Sequence, residues 1–436
     1  MVKLTTESVE GEAPEIKESL DELAREGARR MIVAALELEV EQHVEGLRHL
    51  RDEMGHARVV RNGHARERTV QLGAGPVKIK APRVYDRRPD HRFTSKILPP
   101  YMRRSPRLEE ALPVLYLRGL STGDFSEALG VLLGPGAAGF SATTITRLVQ
   151  LWQEEYQAWR KRSLEKKEYL YVWADGVYFN VRLEDDRLAC LVIVGVLPDG
   201  RKEMIALEDG YRESTESWAS LLRDLKRRGL PAPMLAVGDG NLGLWAALRE
   251  VYPETEGQRC WKHKLANVLD KLPKRLQPRA KQMLHEIMYA PDRQSALKET
   301  AVFCKEYEAR YPKAVETLIK DQDQLLTFFD FPAEHWIHLR TTNPIESAFS
   351  TVKARTRKTK GAGSRNAGLA MAFKLLLAGE KRWRRINAPH LVALVRAGVQ
   401  FPDGQAEILQ SDKAPEGLFT STPSILAATE ATIHNI

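Results

Sequence analysis

Hydrophobic spacing changes period several times along the chain, and each change marks a boundary. Residues 18–50 carry apolar side chains at helical spacing (Leu20, Leu23, Met31, Leu36, Val40, Val44, Leu47), which predicts one long helix. Residues 58–92 switch to a small β element. There Val77, Ile79 and Ala81 alternate with Lys78 and Lys80 after Gly73-Ala74-Gly75-Pro76, as in a hairpin with one basic face. Helical spacing returns from Arg107. Ser121 is placed to cap a helix running to Leu133, and Ser141 a second helix with the stripe Ile145, Leu148, Trp152, Tyr156 and Trp159. Two short helices in tandem resemble a helix-turn-helix, although their loop exceeds the usual length of about three or four residues. A DNA-reading second helix would offer Thr143, Thr144 and Arg147; a purely packed pair is the alternative.

Beyond Lys167 runs of strand formers occupy 169–181, 188–197 and 203–207, followed by a helix at 213–228, a buried strand at 234–237 and a helix at 242–251. Strands first, then alternation, predicts a mixed α/β domain. After His263 the pattern is helical almost to Phe328, interrupted by Pro273, Pro278, Pro291 and Pro312. A last helix begins near Pro344. Residues 1–17 and those beyond Asp403 lack periodicity and read as a loose tail and a turn-rich appendage.

The 436 residues suggest about three domains. With 43% hydrophobic and 28% charged residues the chain has the composition of a globular protein, which excludes wholesale disorder. No apolar run approaches the roughly 20 residues of a membrane span. The N-terminus lacks a secretory pattern, so a cytoplasmic, nucleoid-associated location is expected. Cys190, Cys260 and Cys304 are too few and too far apart for a disulfide framework or a four-cysteine zinc site.

A formal net charge of +8 is modest, but its distribution is uneven. Residues 58–107 hold fourteen Lys and Arg against three acids, and residues 353–385 hold eleven against Glu380 alone. The remainder is therefore net acidic. Either run alone could be a solvated face; together they favour a polyanionic partner, since clustered Lys and Arg neutralise phosphates and release counterions.

Three carboxylates stand out, and each also has an ordinary structural reading. Asp175 in "YLYVWADGVYFNV" forms an Asp-Gly pair between strand-like runs, a hairpin signal. Asp239 closes "MLAVGDG", where the choice lies between a turn and the ligand-bearing edge of an α/β sheet. Glu346 in "TTNPIESAF" sits at a capping-box position if Asn343 caps the helix and Pro344 opens it.

Taken together, the order of strands, helices and acids resembles a ribonuclease H-like core. The stretches "RNGHARERTV", "APRVYDRR", "LYLRGLSTGDFSEAL", "YLYVWADGVY", "AVGDGNLGLWAALREVYP", "QRCWKHKLANVLDKLP" and "RTTNPIESAFSTVKARTRKTKG" resemble mutator-type DDE transposases of bacterial insertion sequences, over about residues 18–399. The resemblance implies an α/β fold: a ribonuclease H-like catalytic core interrupted by an all-helical insertion, behind a mainly helical N-terminal DNA-binding region containing the small β element. The expected boundaries are a tail at 1–17, a DNA-binding region at 18–165, core at 166–264, insertion at 265–335, end of core at 336–402 and appendage at 403–436.

The same resemblance implies a metal-binding catalytic triad of Asp175, Asp239 and Glu346. Its cofactor would be Mg²⁺, as two ions, with Mn²⁺ able to substitute, because hard oxygen donors suit such ions and paired ions assist phosphodiester cleavage and transfer. The Cys-x-x-His motif, Cys260 and His263, is expected to shape the active site; its spacing also permits zinc, but no second ligand pair completes a tetrahedron. Lys353, Arg357 and Lys360 share one helical face after Glu346, and with Arg340 they are candidate DNA-backbone contacts. Expected partners are double-stranded DNA, as the element's terminal inverted repeats and its target, and further copies of the chain in a homodimer or higher homo-oligomer, without a membrane. Two rival readings are a structure-selective nuclease on the same core and a non-catalytic DNA-binding protein derived from a transposase.

Overall fold

The computed structural model describes residues 20–120, 124–133, 142–181, 187–210, 214–240, 242–359 and 361–407. A long helix, α1 (Leu20–Gly46), buries Leu36 and Val40. Four short strands follow: β1 (Val59–His64), β2 (Arg68–Leu72), β3 (Gly75–Ile79) and β4 (Pro82–Asp86). They form two antiparallel pairs, β1 with β4 and β2 with β3. Isolated pairs of strands are marginal in water; here Val70, Val77 and Ile79 gain cover from Leu36 and Leu98. Lys78 and Lys80 point the other way and are exposed, as alternation requires.

Three helices come next, α2 (Pro106–Arg118), α3 (Asp124–Leu133) and α4 (Ala142–Arg160). Leu112, Phe125, Leu129, Leu133 and Ile145 pack them together. The expected caps Ser121 and Ser141 lie outside the described residues. The far half of α4 reaches the main body. Its Tyr156 hydroxyl donates to the Leu207 carbonyl at 2.7 Å, and the ring lies 5.5 Å from that of Phe373.

The main body is built on five strands, β5 (Tyr171–Phe179), β6 (Leu188–Val196), β7 (Lys202–Gly210), β8 (Leu235–Gly238) and β9 (Glu256–Arg259), with α5 (Thr215–Arg227) and α6 (Leu242–Val251) between the later ones. The sheet order is β7-β6-β5-β8-β9. Strands β5, β6 and β7 are antiparallel neighbours, whereas β8 and β9 run parallel to β5. Alternate residues serve two layers: Val172, Ala174, Leu191 and Ile193 face α5 and α6, while Tyr171, Trp173, Val192 and Val194 face the other helices.

The structure departs from sequence expectation at three places here. Asp175-Gly176 is no turn, because β5 runs straight through it and pairs Asp175 with Val192 and Gly176 with Leu191. The turn-like sequence is overridden by the ladder with β6, which continues unbroken from Val172 to Phe179. Strand β9 escapes the hydrophobic pattern, since its buried inner residues are Gln258 and Arg259. Gln258 is tolerated because its amide donates to the Arg259 and Leu325 carbonyls and accepts from the Phe328 amide. The final helical region also divides further than one helix from Pro344: a second helix, Arg365–Glu380, follows, buried over most of its circumference, so it shows no amphipathic stripe.

The helical block consists of α7 (Trp261–Leu269), α8 (Gln277–Met288), α9 (Arg293–Tyr307), α10 (Pro312–Ile319), α11 (Gln322–Leu326) and α12 (Trp336–Leu339). Pro278 and Pro312 open helices rather than break them. The block shares one apolar cluster with the sheet. The chain then forms α13 (Asn343–Lys358), α14 (Arg365–Glu380) and α15 (His390–Arg396). Past α13, Gly361 takes φ +108 with its Cα against the Asn180 carbonyl, a path closed to a residue with a Cβ. The Ala362 amide then donates to Asn180 at 3.0 Å, tying this stretch to the end of β5. Among the described residues no helix is long and apolar enough to cross a membrane.

Candidate active site

Parallel pairing of β5 with β8 matches Ala174 to Gly238, so Asp175 and Asp239 follow side by side on adjacent strands. Both are half-buried. The Gly176 amide donates to Asp175 Oδ1 at 2.8 Å. The Trp245 indole donates to the Asp239 carbonyl at 2.9 Å, which fixes the chain leaving β8.

Glu346 arrives from the first turn of α13. Thr342, rather than Asn343, occupies the N-cap position, which places Glu346 beyond capping-box register. Its carboxylate instead accepts from the Thr342 hydroxyl at 2.8 Å and pairs with Lys262. Burial disfavours the charged form, but these hydrogen bonds prevail and hold the Glu346 carboxyl below the usual carboxylate range.

Cys260 caps α7 at the joint between these pieces. Its amide donates to the Gly238 carbonyl at 2.8 Å, and the next amide, of Trp261, donates to the Arg340 carbonyl at 2.9 Å. The Thr342 amide lies 3.4 Å from the Cys260 sulfur and the Thr342 hydroxyl 3.3 Å. That hydroxyl has one proton, which goes to the carboxylate as the stronger acceptor, leaving the amide for the sulfur. Trp261 is core, 1% exposed, with its indole donating to the Leu325 carbonyl.

His263 Nε2 stands 3.9 Å from Glu346 Oε1. Contact with the Cys260 sulfur, opposed by burial and helped by the negative charges of Cys260, Asp175 and Asp239, raises its pKa to about 9. Hydrogen bonds from His263 and Thr342 conversely draw the Cys260 thiol below its ordinary value despite strong burial. One imidazole thus feels all three carboxylates. The donor atoms of Cys260, His263 and Glu346 lie within 4.8 Å of one another, a set that offers sulfur, nitrogen and oxygen. Lys262 and Thr342 were not singled out by sequence reasoning, although both lie inside the quoted motifs "CWKH" and "TTNPIE".

The candidate DNA contacts are dispersed. Lys78 and Lys80 lie on the hairpin, Thr143 and Arg147 are exposed at the start of α4 with Thr144 half-buried, and Lys353 and Arg357 are exposed on α13. Lys360 lies outside the described residues. Arg340 is placed differently, its guanidinium packed 5.1, 4.7 and 5.3 Å from the Tyr289, Phe328 and Trp336 rings.

A mixed sheet with two side-by-side aspartates and a glutamate brought in by a later helix is the setting in which comparison with known proteins becomes informative. Residues 1–384 match the family described as "Transposase, Mutator family", and the chain belongs to that family. It is 56% identical over 308 residues to the transposase for insertion sequence element IS6120 of Mycolicibacterium smegmatis, covering 71% of this chain and 95% of that protein. It is 51% identical over 279 residues to the transposase for insertion sequence element IST2 of Acidithiobacillus ferrooxidans, covering 64% and 94%. With the transposase for ISRM5 of Rhizobium meliloti it shares 30% identity over 329 residues, covering 75% and 80%.

Proposed function

We propose that the protein binds the terminal inverted repeats of its own insertion sequence and catalyses DNA strand cleavage and strand transfer on a ribonuclease H-like core, with Asp175, Asp239 and Glu346 holding divalent metal. The observation that carries this reading is the β5–β8 register that sets Asp175 beside Asp239, with His263 3.9 Å from Glu346. The sheet order, with three antiparallel strands followed by two parallel ones, supports the fold assignment. We further take residues 18–165 as the DNA-binding region and 265–335 as an insertion in the core.

The donor set fits Mg²⁺ or Mn²⁺: three carboxylates supply hard oxygen, and Glu346 is held in its charged form. It fits a structural zinc site less well, because Cys260, His263 and Glu346 supply three ligands where a closed tetrahedron needs four. When bound, such ions lower the cost of forming the attacking oxygen and of charge on the leaving oxygen. The protein's own part is positional. Gly176 fixes one oxygen of Asp175, Trp245 fixes the turn after Asp239, and Thr342 with Lys262 aims Glu346. Lys262 also offsets part of the carboxylate charge, which eases approach of an anionic backbone.

Full-length protein should be mixed with duplexes carrying the inverted repeats that flank its gene, with Mg²⁺ or with chelator. Metal-dependent nicking at the repeat end, and joining of pre-cleaved ends to target DNA, are expected. Nicking without joining would favour the nuclease reading, and binding without either would favour the regulator.

A further inference from the structure

A basic cleft opens beside the chain that carries Asp239. It has a volume of about 650 Å³ and is lined by parts of α6, β9, α7 and α10, including Gly240, which directly follows Asp239. Six Lys or Arg side chains line it against two carboxylates, Glu316 and Asp321.

Its inner wall holds an unbalanced charge. The side chains of Arg259 and Lys264 are only 6% and 2% exposed, yet Asp321 alone serves both, at 3.3 and 2.6 Å. Lys264 also donates to the Thr317 carbonyl at 2.6 Å. Arg259 is held less well: its buried Nε faces Asp321 as an ion pair but without hydrogen-bond geometry. Two buried cations on one carboxylate leave net positive charge, which is costly unless another anion balances it. The guanidinium meets Gly240 edge-on, with its two terminal nitrogens toward the glycine, where a Cβ would collide with them. Only glycine permits that approach, and it couples the cleft to the strand end bearing Asp239. Outside this wall, Lys271, Lys313 and Lys320 stand exposed around the cleft.

We propose that this cleft seats a phosphate group, and that its ligand is a backbone phosphate of the DNA strand passing the carboxylate edge. A wall in which two buried cations share one carboxylate favours a phosphate, and surrounding lysines suit a polyanion rather than a single small anion. The proposal rests on the function proposed above. It adds a contact on the α6 and α10 side of Asp239, away from the exposed basic residues of α13.

The test compares full-length parent with Lys313→Ala/Lys320→Ala, whose side chains are exposed, and with Arg259→Lys, which keeps charge and loses the fork. Binding to end and scrambled duplexes is measured across a chloride series, then with inorganic phosphate replacing chloride at equal ionic strength. The lysine pair should lower the slope of log affinity against log salt by about 1–2 on both duplexes. Arg259→Lys should weaken binding several-fold while melting like the parent. If Arg259→Lys melts early, the lysine pair alone decides. Unchanged slopes in a variant that binds DNA overturn the cleft proposal alone. Phosphate competition with unchanged slopes assigns the cleft to a small anion and overturns it too. Parent protein that neither prefers ends nor cuts them removes the functional reading, while a slope change on scrambled DNA would still support the cleft.

Discussion

The two basic segments look alike in sequence and differ in what they do with their charge. In residues 58–107 most cations stay at the surface of the small β unit, with partners such as Glu37 for Arg61 and Asp52 for Arg87 also near solvent. In residues 353–385 several are consumed internally. Arg355 is 4% exposed, donates to the Tyr116 and Leu120 carbonyls and lies 4.6 Å from the Tyr116 ring. Arg365 pairs with Asp209, and Lys374 with Glu155. Counts of Lys and Arg therefore do not measure free surface charge; the second segment is partly an adhesive between α13, α14 and their neighbours.

The largest effect should come from removing chemistry while leaving both segments intact. Asp175→Asn, Asp239→Asn and Glu346→Gln keep size and hydrogen-bonding capacity but remove charge, and each should cut cleavage and strand transfer by about 10³-fold or more, with end binding unchanged. An active variant would remove that residue from the site. Next, Arg355→Ala should destabilise the fold by about 2–4 kcal/mol, because two carbonyls lose a buried donor and Tyr116 loses its partner. Exposed Arg66→Ala, from the other segment, should stay within about 0.5 kcal/mol. Denaturant titration of both variants checks the contrast; equal effects would erase it.

Smaller again, His263→Ala should lower cleavage by about 10–100-fold with little loss of end binding, as expected for a group that orients ligands. Elemental analysis belongs with it, since stoichiometric zinc lost on Cys260→Ser would reassign the motif as a metal site. Lys78→Ala/Lys80→Ala should reduce DNA affinity about tenfold at low salt and flatten the salt slope, with the melting temperature unmoved. The smallest change should be Arg147→Ala, which costs about 1 kcal/mol of preference for end over scrambled duplex if α4 reads bases. Loss on both duplexes alike would make Arg147 a backbone contact.

Much of the main body was legible because apolar patterning dominates there: β5, β6, β7, α5, β8 and α6 all fall close to their predicted spans. Local rules failed where tertiary contacts outweighed them. Asp175-Gly176 has turn chemistry but sits inside the unbroken ladder with β6. Gln258 and Arg259 make β9 look like a loop, though one is satisfied by carbonyls across the fold and the other faces a cleft. The candidate carboxylates were found by motif order, whereas Thr342 and Lys262 become visible only once α7 and α13 meet, 84 residues apart in the pairing of Lys262 with Glu346.

The joint at Cys260 and Trp261, bonded to Gly238 on one side and Arg340 on the other, also sets a timetable. Ribosomes add about 5–20 residues per second, so Glu346 emerges roughly ten to thirty seconds after Asp175. Until then the growing chain carries two aspartates and an exposed basic β unit, but no closed site. On the proposed reading, a product cut short between Asp239 and α13 would keep two of the three proposed ligands and lack the last, so the order of synthesis would act as an interlock on cleavage.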